Sequence, residues 1–182
     1  LKKHIILITI SLIFSILGAS VALTGNASQL LYKANYNFLS AEAKEQVECL
    51  AENIYFEAGY EPNVGRVAVA FVTINRVKSG KFESDICGVV RQKMSNVCQF
   101  SWWCQDKQKA MSVHKVLTNG SNMLYNDVRD VALYVYTNYE KLEDPTKGSL
   151  FYHADYVNPR WPNMEHKATI GRHIFYNQKE RI

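Results

Sequence analysis

Several signatures are missing from this 182-residue chain, and each absence removes a class of chemistry. It contains no CxxC pair and no HExxH motif, and its five histidines (His4, His114, His153, His166 and His173) lie far apart in sequence. The common zinc patterns are therefore absent, and no metal or other cofactor is expected. No Gly-rich phosphate loop appears, which argues against nucleotide chemistry. Lys and Arg total 21 against 17 Asp and Glu, and no basic cluster interleaves with aromatic residues. So mild a balance excludes a nucleic-acid footprint. Internal repeats and low-complexity stretches are lacking too, and 47% hydrophobic with 21% charged residues is the composition of a globular protein.

The first segment, "LKKHIILITISLIFSILGASVAL", has a basic start, an apolar run from Ile5 to Leu17 and small residues through Ala22. It reads as a secretory signal with Ser20-Val21-Ala22 as the cleavage site, or as a membrane anchor, permanent or releasable, over residues 5–23. Either way the remainder is exported, to the periplasm or the extracellular side, and touches a membrane only through this segment. The expected organisation is a leader over 1–25, a polar linker over 26–40 and one catalytic domain over 41–182. Without Lys2 and Lys3 the 21 basic residues fall to 19, still close to the 17 acidic ones.

Cys49, Cys87, Cys98 and Cys104 form an even set, which suits an oxidising compartment. Four cysteines allow three pairings, and their spacing does not choose among them.

Ser40 is placed to cap a helix whose first turn carries Glu42, and Ala43, Val47, Leu50, Ile54 and Ala58 then recur at helical spacing until Gly59 and Pro62 end it. "GRVAVAFVTINRV" (65–77) is apolar on nearly every side, and its length favours a buried helix over a strand. A turn follows at "KSGKF", then a short element over Asp85 to Arg91. Residues 96–107, aromatic and bounded by cysteines, read as a shaped loop. Val128, Val131, Ala132 and Val135 share one face of a helix over 127–139, and the tyrosines of the 125–139 stretch are expected in the core; Pro145 and Gly148 break the helix. "SLFYH" and "IGRHIFY", either side of the Pro-rich "YVNPRWPN", read as strands. Helices first and strands last indicate an α+β fold, helix-rich with a small C-terminal antiparallel sheet.

Within "CLAENIYFEAGYEP" (49–62), Glu57 follows Leu50 by seven positions and Ile54 by three, so it projects beside the apolar stripe, while Glu45, Glu48 and Glu52 project to the other side, the ordinary solvated face. The ordinary fate of such an acid is pairing with Arg66, Arg76 or a tyrosine hydroxyl to tie the helix to its neighbour. The alternative is chemical: a carboxyl held against Ile, Tyr and Phe loses hydration, its pKa rises, and it becomes suited to general acid work. Glu61, beside Pro62, reads more readily as a turn or surface group. Rings placed in loops, as in "QFSWW" and "NPRW", suggest stacking platforms for sugar faces, with His, Asn and Gln supplying hydrogen bonds.

Five blocks occur together and in order: "NIYFEAGYEPNVGRVAVAFVTINRV", "CGVV" after a "KF" turn, "CQFSWWC", "DPTKGSLFYHADYVNPRW" and "IGRHIFY". From about Cys49 to Tyr176 the chain resembles the SleB-type cell wall hydrolases, found in spore formers, in other bacteria and in phage genomes. The resemblance implies a distantly lysozyme-like domain that cuts peptidoglycan at the glycan strand as a lytic transglycosylase, with one essential glutamate and no cofactor. That glutamate is the first Glu of the family's "EARGEP" block and falls on Glu57. The same matching sets Asn75, Phe100, Ser101, Trp102, Tyr152, His153, Trp161 and His173 on the wall of the substrate cleft, each with a fold-forming alternative. Here the block reads "EAGYEP", so the family's Arg is missing. Glu61 is consequently a secondary site, either tuning Glu57 or holding the turn. Two other functions stay open at this level: an N-acetylmuramoyl-L-alanine amidase, which the scattered histidines disfavour, and a non-catalytic wall-binding module.

Overall fold

Glu42 in the first turn and the apolar spacing from Val47 onward produce an 18-residue helix, α1 (Ala41–Ala58), in the computed structural model of the protein, which describes residues 36–105 and 122–179. The chain divides into two units, Leu1–Ser40 and Ala41–Ile182. Of the first, only its last turn is described, where the Leu39 N–H donates to the Tyr36 carbonyl. The expected leader and most of the linker lie outside the described residues. Among those described, no helix is long and apolar enough to cross a membrane.

Helix α1 is buried on more than one side, because α2 (Asn63–Ser79), α3 (Ile86–Arg91) and α5 (Met123–Asn138) all pack against it. This corrects the solvated face expected for Glu48 and Glu52. Glu48 accepts a hydrogen bond from the Tyr125 hydroxyl at 2.9 Å and lies 3.8 Å from Arg129, while Glu52 is 7% exposed. Only Glu45 stays outside, reaching the exposed Arg91 at 3.4 Å. An amphipathic pattern registers one packing partner, and α1 has three.

The apolar run 65–77 is indeed a helix, α2. It starts directly after Pro62, whose carbonyl accepts from the Gly65 and Arg66 N–H groups, and it closes at Gly80 in the left-handed conformation (φ 64°). Asp85 caps α3 by accepting from the Gly88 N–H at 2.8 Å. The stretch expected as an irregular loop contains more order than its sequence suggests. Strands β1 (Lys93–Met94) and β2 (Val97–Cys98) pair through Ser95 and Asn96, both at positive φ, and a short helix α4 (Ser101–Gln105) follows. Two-residue strands carry no readable period. Of the three pairings the cysteines allow, the structure forms Cys49–Cys87, joining α1 to α3, and Cys98–Cys104, closing the aromatic segment. Helix α5 begins earlier than expected because the Asn122 side chain caps the Tyr125 N–H at 2.9 Å. Tyr125 is buried as expected, whereas Tyr134 is 54% exposed, so not every tyrosine of this helix enters the core.

Strands β3 (Phe151–Ala154), β4 (Met164–Ile170) and β5 (His173–Gln178) form an antiparallel sheet in the order β3-β5-β4. β4 escaped the sequence reading because a bulge between His166 and Ala168 breaks the alternation of "MEHKATI". Opposed residues share a face. Tyr152, Phe175, Ala168 and Ile170 face the helices and pack on Ala68 and Val72 of α2. Phe151, His153, Ile174 and Tyr176 therefore point to the opposite, outer face.

The Cys49–Cys87 bond spans 38 residues. Replacing both cysteines by alanine is expected to lower unfolding free energy by about 2–4 kcal/mol. Urea denaturation checks this, and an unchanged midpoint would show that α1 and α3 hold together without the bond.

Candidate active site

Glu57 lies in the last turn of α1, half-buried, at the place where the helix end meets the sheet. The Tyr152 hydroxyl on β3 donates to Glu57 Oε2 at 3.0 Å. Burial pushes the Glu57 carboxyl above the ordinary range, while the Tyr152 hydrogen bond and the positive charge of Arg76 pull it back without cancelling the rise. Among the described residues no second carboxylate contributes. Tyr152 itself is held well above the usual phenol range, first by burial and then by the charge of Glu57, so it remains a donor. Two of the three pairings named for Glu57 are thus partly realised, in the tyrosine hydroxyl and in the field of Arg76. Arg66 takes no part in them, since it donates instead to the Gly59 carbonyl at 2.7 Å and to Asn63 at 3.2 Å.

Arg76 comes from α2 and is 5% exposed. Its Nε donates to the Leu150 carbonyl at 2.8 Å, and its guanidinium lies over the rings of Phe82 and Phe100, 5.1 and 4.8 Å from their centroids. Burial lowers its pKa, yet a guanidinium stays charged at any physiological pH. Its Nη1 has no hydrogen-bond partner among the described residues. The result is a fixed positive charge, flanked by rings, serving the carboxylate form of Glu57.

The family-matched positions divide into groups. Tyr152 touches Glu57, and His173, buried and edge-on to the Tyr152 ring at 5.2 Å, supports it from β5. Burial lowers the His173 pKa, which keeps its imidazole neutral near pH 7. Phe100 is buried beneath Arg76. Ser101 is exposed at the start of α4. The Trp102 indole N–H donates to Asn53 Oδ1 at 3.0 Å, and its ring stacks on Phe56 with centroids 4.4 Å apart. Asn75 points elsewhere: its amide donates to Asp144 at 2.8 Å and to Thr146 and Ser149 at 3.3 Å, so it holds the 144–149 loop. Glu61 accepts from the Arg172 backbone N–H at 3.2 Å, and a Cβ at Gly171 would collide with its carboxylate. It therefore joins the α1–α2 turn to the β4–β5 hairpin. His153 and Trp161 do not share the wall with Tyr152. Adjacent residues of a strand point to opposite faces, so His153 emerges on the outer side of the sheet, where it meets Trp161 and Tyr176.

Two residues of the site were not singled out for it. Phe56, 38% exposed and next to Glu57, carries the Trp102 stack; its signal was a large ring on the outward phase of the same helix. Arg76 was named only as a pairing partner. Among the described residues no group of three or more His, Cys, Asp or Glu is gathered as a metal-ligand set.

A family model described as Cell Wall Hydrolase matches residues 60–176, beginning just past Glu57. The fold is similar to the catalytic domain of the germination-specific lytic transglycosylase SleB from Bacillus anthracis, with 26% identity, 78% of this chain and 98% of that one covered, and a TM-score of 0.53. It is also similar to the catalytic domain of the Bacillus cereus SleB protein, at 23% identity, 77% and 94% coverage and a TM-score of 0.50, a likeness of fold alone. No curated protein sequence matches the chain.

A carboxyl whose pKa is raised on folding binds its proton more tightly in the native state. Folding stability then declines as pH rises from the ordinary carboxylate range through the raised value, and levels off above it. Glu57→Gln, which keeps a partner for Tyr152 and has no charge to bury, is expected to be more stable than the wild type at neutral pH and equal to it at low pH. Thermal unfolding across that range tests this; a variant less stable at neutral pH would mean that the ionised Glu57 is well compensated.

Proposed function

The chain belongs to the cell wall hydrolase family, and from that premise we propose that it cleaves the glycan strand of peptidoglycan as a lytic transglycosylase, with Glu57 as acid and then base. The observation that carries this reading is one half-buried carboxyl, raised in pKa, hydrogen-bonded to a tyrosine and in the field of a fixed arginine charge, with no second carboxylate among the described residues acting on it. The likeness to a protein described as a lytic transglycosylase supports the same reading.

Protonated Glu57 donates to the glycosidic oxygen between N-acetylmuramic acid and N-acetylglucosamine as the bond from that oxygen to the anomeric carbon breaks. The muramic 6-hydroxyl then bonds to the anomeric carbon, and its proton passes to the Glu57 carboxylate. Atoms balance without water: one C–O bond is lost, one is formed, and Glu57 ends protonated. A hydrolase with two acids places one of them to activate water or to attack the sugar; a ring-closing reaction needs neither. Tyr152 and Arg76 stabilise the anion that Glu57 becomes between the two transfers. The exposed Phe56 and its stacked partner Trp102 offer a sugar platform beside the acid, with Ser101 at the same segment. Phe100 and His173 hold the wall in place, and Asn75 braces the loop behind it.

Such a substrate lies outside the cytoplasm. Residues 1–25 would carry the enzyme across the membrane as a leader or an anchor, with 26–40 as linker and 41–182 as the catalytic domain.

Glu57→Gln is expected to lower cleavage of purified peptidoglycan by about 10²–10⁴-fold, and mass spectrometry should find 1,6-anhydromuropeptides from the wild type alone. Reducing ends would show that water attacks, and free stem peptides would show an amidase. Activity that needs protonated Glu57 declines as pH rises through its pKa. Removing a bond that lowers that pKa, by Tyr152→Phe, should move the alkaline limb of the pH–rate profile upward. A limb that stays put would assign it to another group.

A further inference from the structure

On the outer face of the sheet, away from Glu57, lies a cavity of about 440 Å³, walled by His153, Trp161 and Tyr176 with Asp155 and Asn158 on its loop side. Small-ligand sites span roughly 300–1,000 Å³. Because His153 and Tyr152 are neighbours on β3, the sheet itself stands between this cavity and Glu57. We propose that the cavity is a second saccharide-binding site, which takes an N-acetylglucosamine unit of a glycan strand that is not being cleaved. The identity of the ligand rests on the peptidoglycan reading above.

The chemistry of the lining suits a neutral sugar. Trp161 is 42% exposed, and it meets Phe151, His153 and Tyr176 at interplanar angles of 61°, 75° and 89°. None of these rings stacks parallel to it, and its exposure leaves indole surface open to a pyranose. The polar groups are oriented in advance. His153 Nδ1 lies 2.9 Å from the Ala154 carbonyl, which only accepts, so Nδ1 carries the proton and Nε2 accepts from the Tyr176 hydroxyl at 3.2 Å. The lone pairs of the Tyr176 oxygen remain for a hydroxyl or amide N–H of the ligand. Asp155 is held at the rim by Arg172 at 3.3 Å, and its oxygens retain acceptor capacity. Asn158 adds both a donor and an acceptor. Pro159 and Pro162 flank the Trp161 loop and limit its conformations, so little freedom is lost on binding. Among the described residues no Lys or Arg lines the cavity, whereas one carboxylate, paired with Arg172, does. That balance disfavours the acidic stem peptide and phosphate polymers, and favours N-acetylglucosamine over peptide-bearing muramic acid. A hold on a neighbouring strand would keep the enzyme on an insoluble polymer between cuts.

The test uses the full chain carrying Glu57→Gln, so that nothing is cleaved, titrated with N-acetylglucosamine tetramer and, separately, with a free stem tetrapeptide. Amide and indole nitrogen–proton NMR shifts report each site. The expected result with the tetramer alone is a saturable shift of the Trp161 indole N–H and of the Asn158 and Tyr176 backbone amides; followed through those two amides in the variants, binding is weakened at least about tenfold by Trp161→Ala and largely retained in Trp161→Phe, with the shifts of Trp102 unaffected by either change. Unchanged Trp161 signals at saturating tetramer, or a response to the peptide only, would overturn the proposal. The spectrum of Trp161→Phe controls for folding. Wild-type cleavage, measured separately, decides the Glu57 reading whatever the outer cavity does.

Discussion

The hydrogen bond from Tyr152 to Glu57 is the point at which the helical half of the domain and the sheet become one site. Glu57 ends α1, and Tyr152 sits on the edge strand β3, opposite Phe175, which packs on α2. A shift of the sheet against the helices would therefore change this bond directly. The same contact sets the chemistry: burial drives the carboxyl toward its neutral form, and the hydroxyl and Arg76 limit how far it goes. A carboxyl buried without them would hold its proton too firmly to give it up. An exposed one would have lost it already.

Several contacts that look incidental hold this geometry. Asn75 ties α2 to the 144–149 loop that leads into β3, and Arg76, one residue on, donates to the Leu150 carbonyl just before that strand. Glu61 secures the far hairpin through the Arg172 N–H, where Gly171 at φ 56° leaves room for the carboxylate. Cys98–Cys104 closes the short segment that carries Phe100 and Trp102. The platform beside the acid is thus fixed by a covalent bond at its ends and by the Trp102–Asn53 hydrogen bond at its centre. Cell wall hydrolases act on a large, stiff substrate, and a rigid site loses little entropy in engaging it.

Much of this was legible because it follows local rules. The helices α1, α2 and α5, the order of these helices before the three-stranded sheet, and the odd phase of Glu57 all come from periodicity and from residues such as Asp85, Gly80 and Pro62 that start or stop elements. What escaped depends on tertiary context. Glu48 and Glu52 are polar residues on a face that α1's neighbours cover, and β4 hides its alternation behind a bulge. The grouping of Tyr152 with His153 and Trp161 failed for a simpler reason. Motif matching places residues side by side in sequence, whereas strand geometry sends neighbours to opposite faces. Asn75 illustrates the complementary limit, since three bonds to one loop give it a structural post that no spacing rule would reveal.

The chemistry of the site depends on Glu57 carrying a proton under conditions where other carboxylates have lost theirs. Carbon-13 NMR titration of the glutamate side-chain carboxyls, with Glu57 identified by its loss in Glu57→Gln, measures this directly. One resonance, that of Glu57, is expected to titrate at higher pH than an ordinary glutamate. If Glu57 instead titrates together with the surface glutamates or below them, it is not a general acid reservoir, and the assignment of the site falls with it.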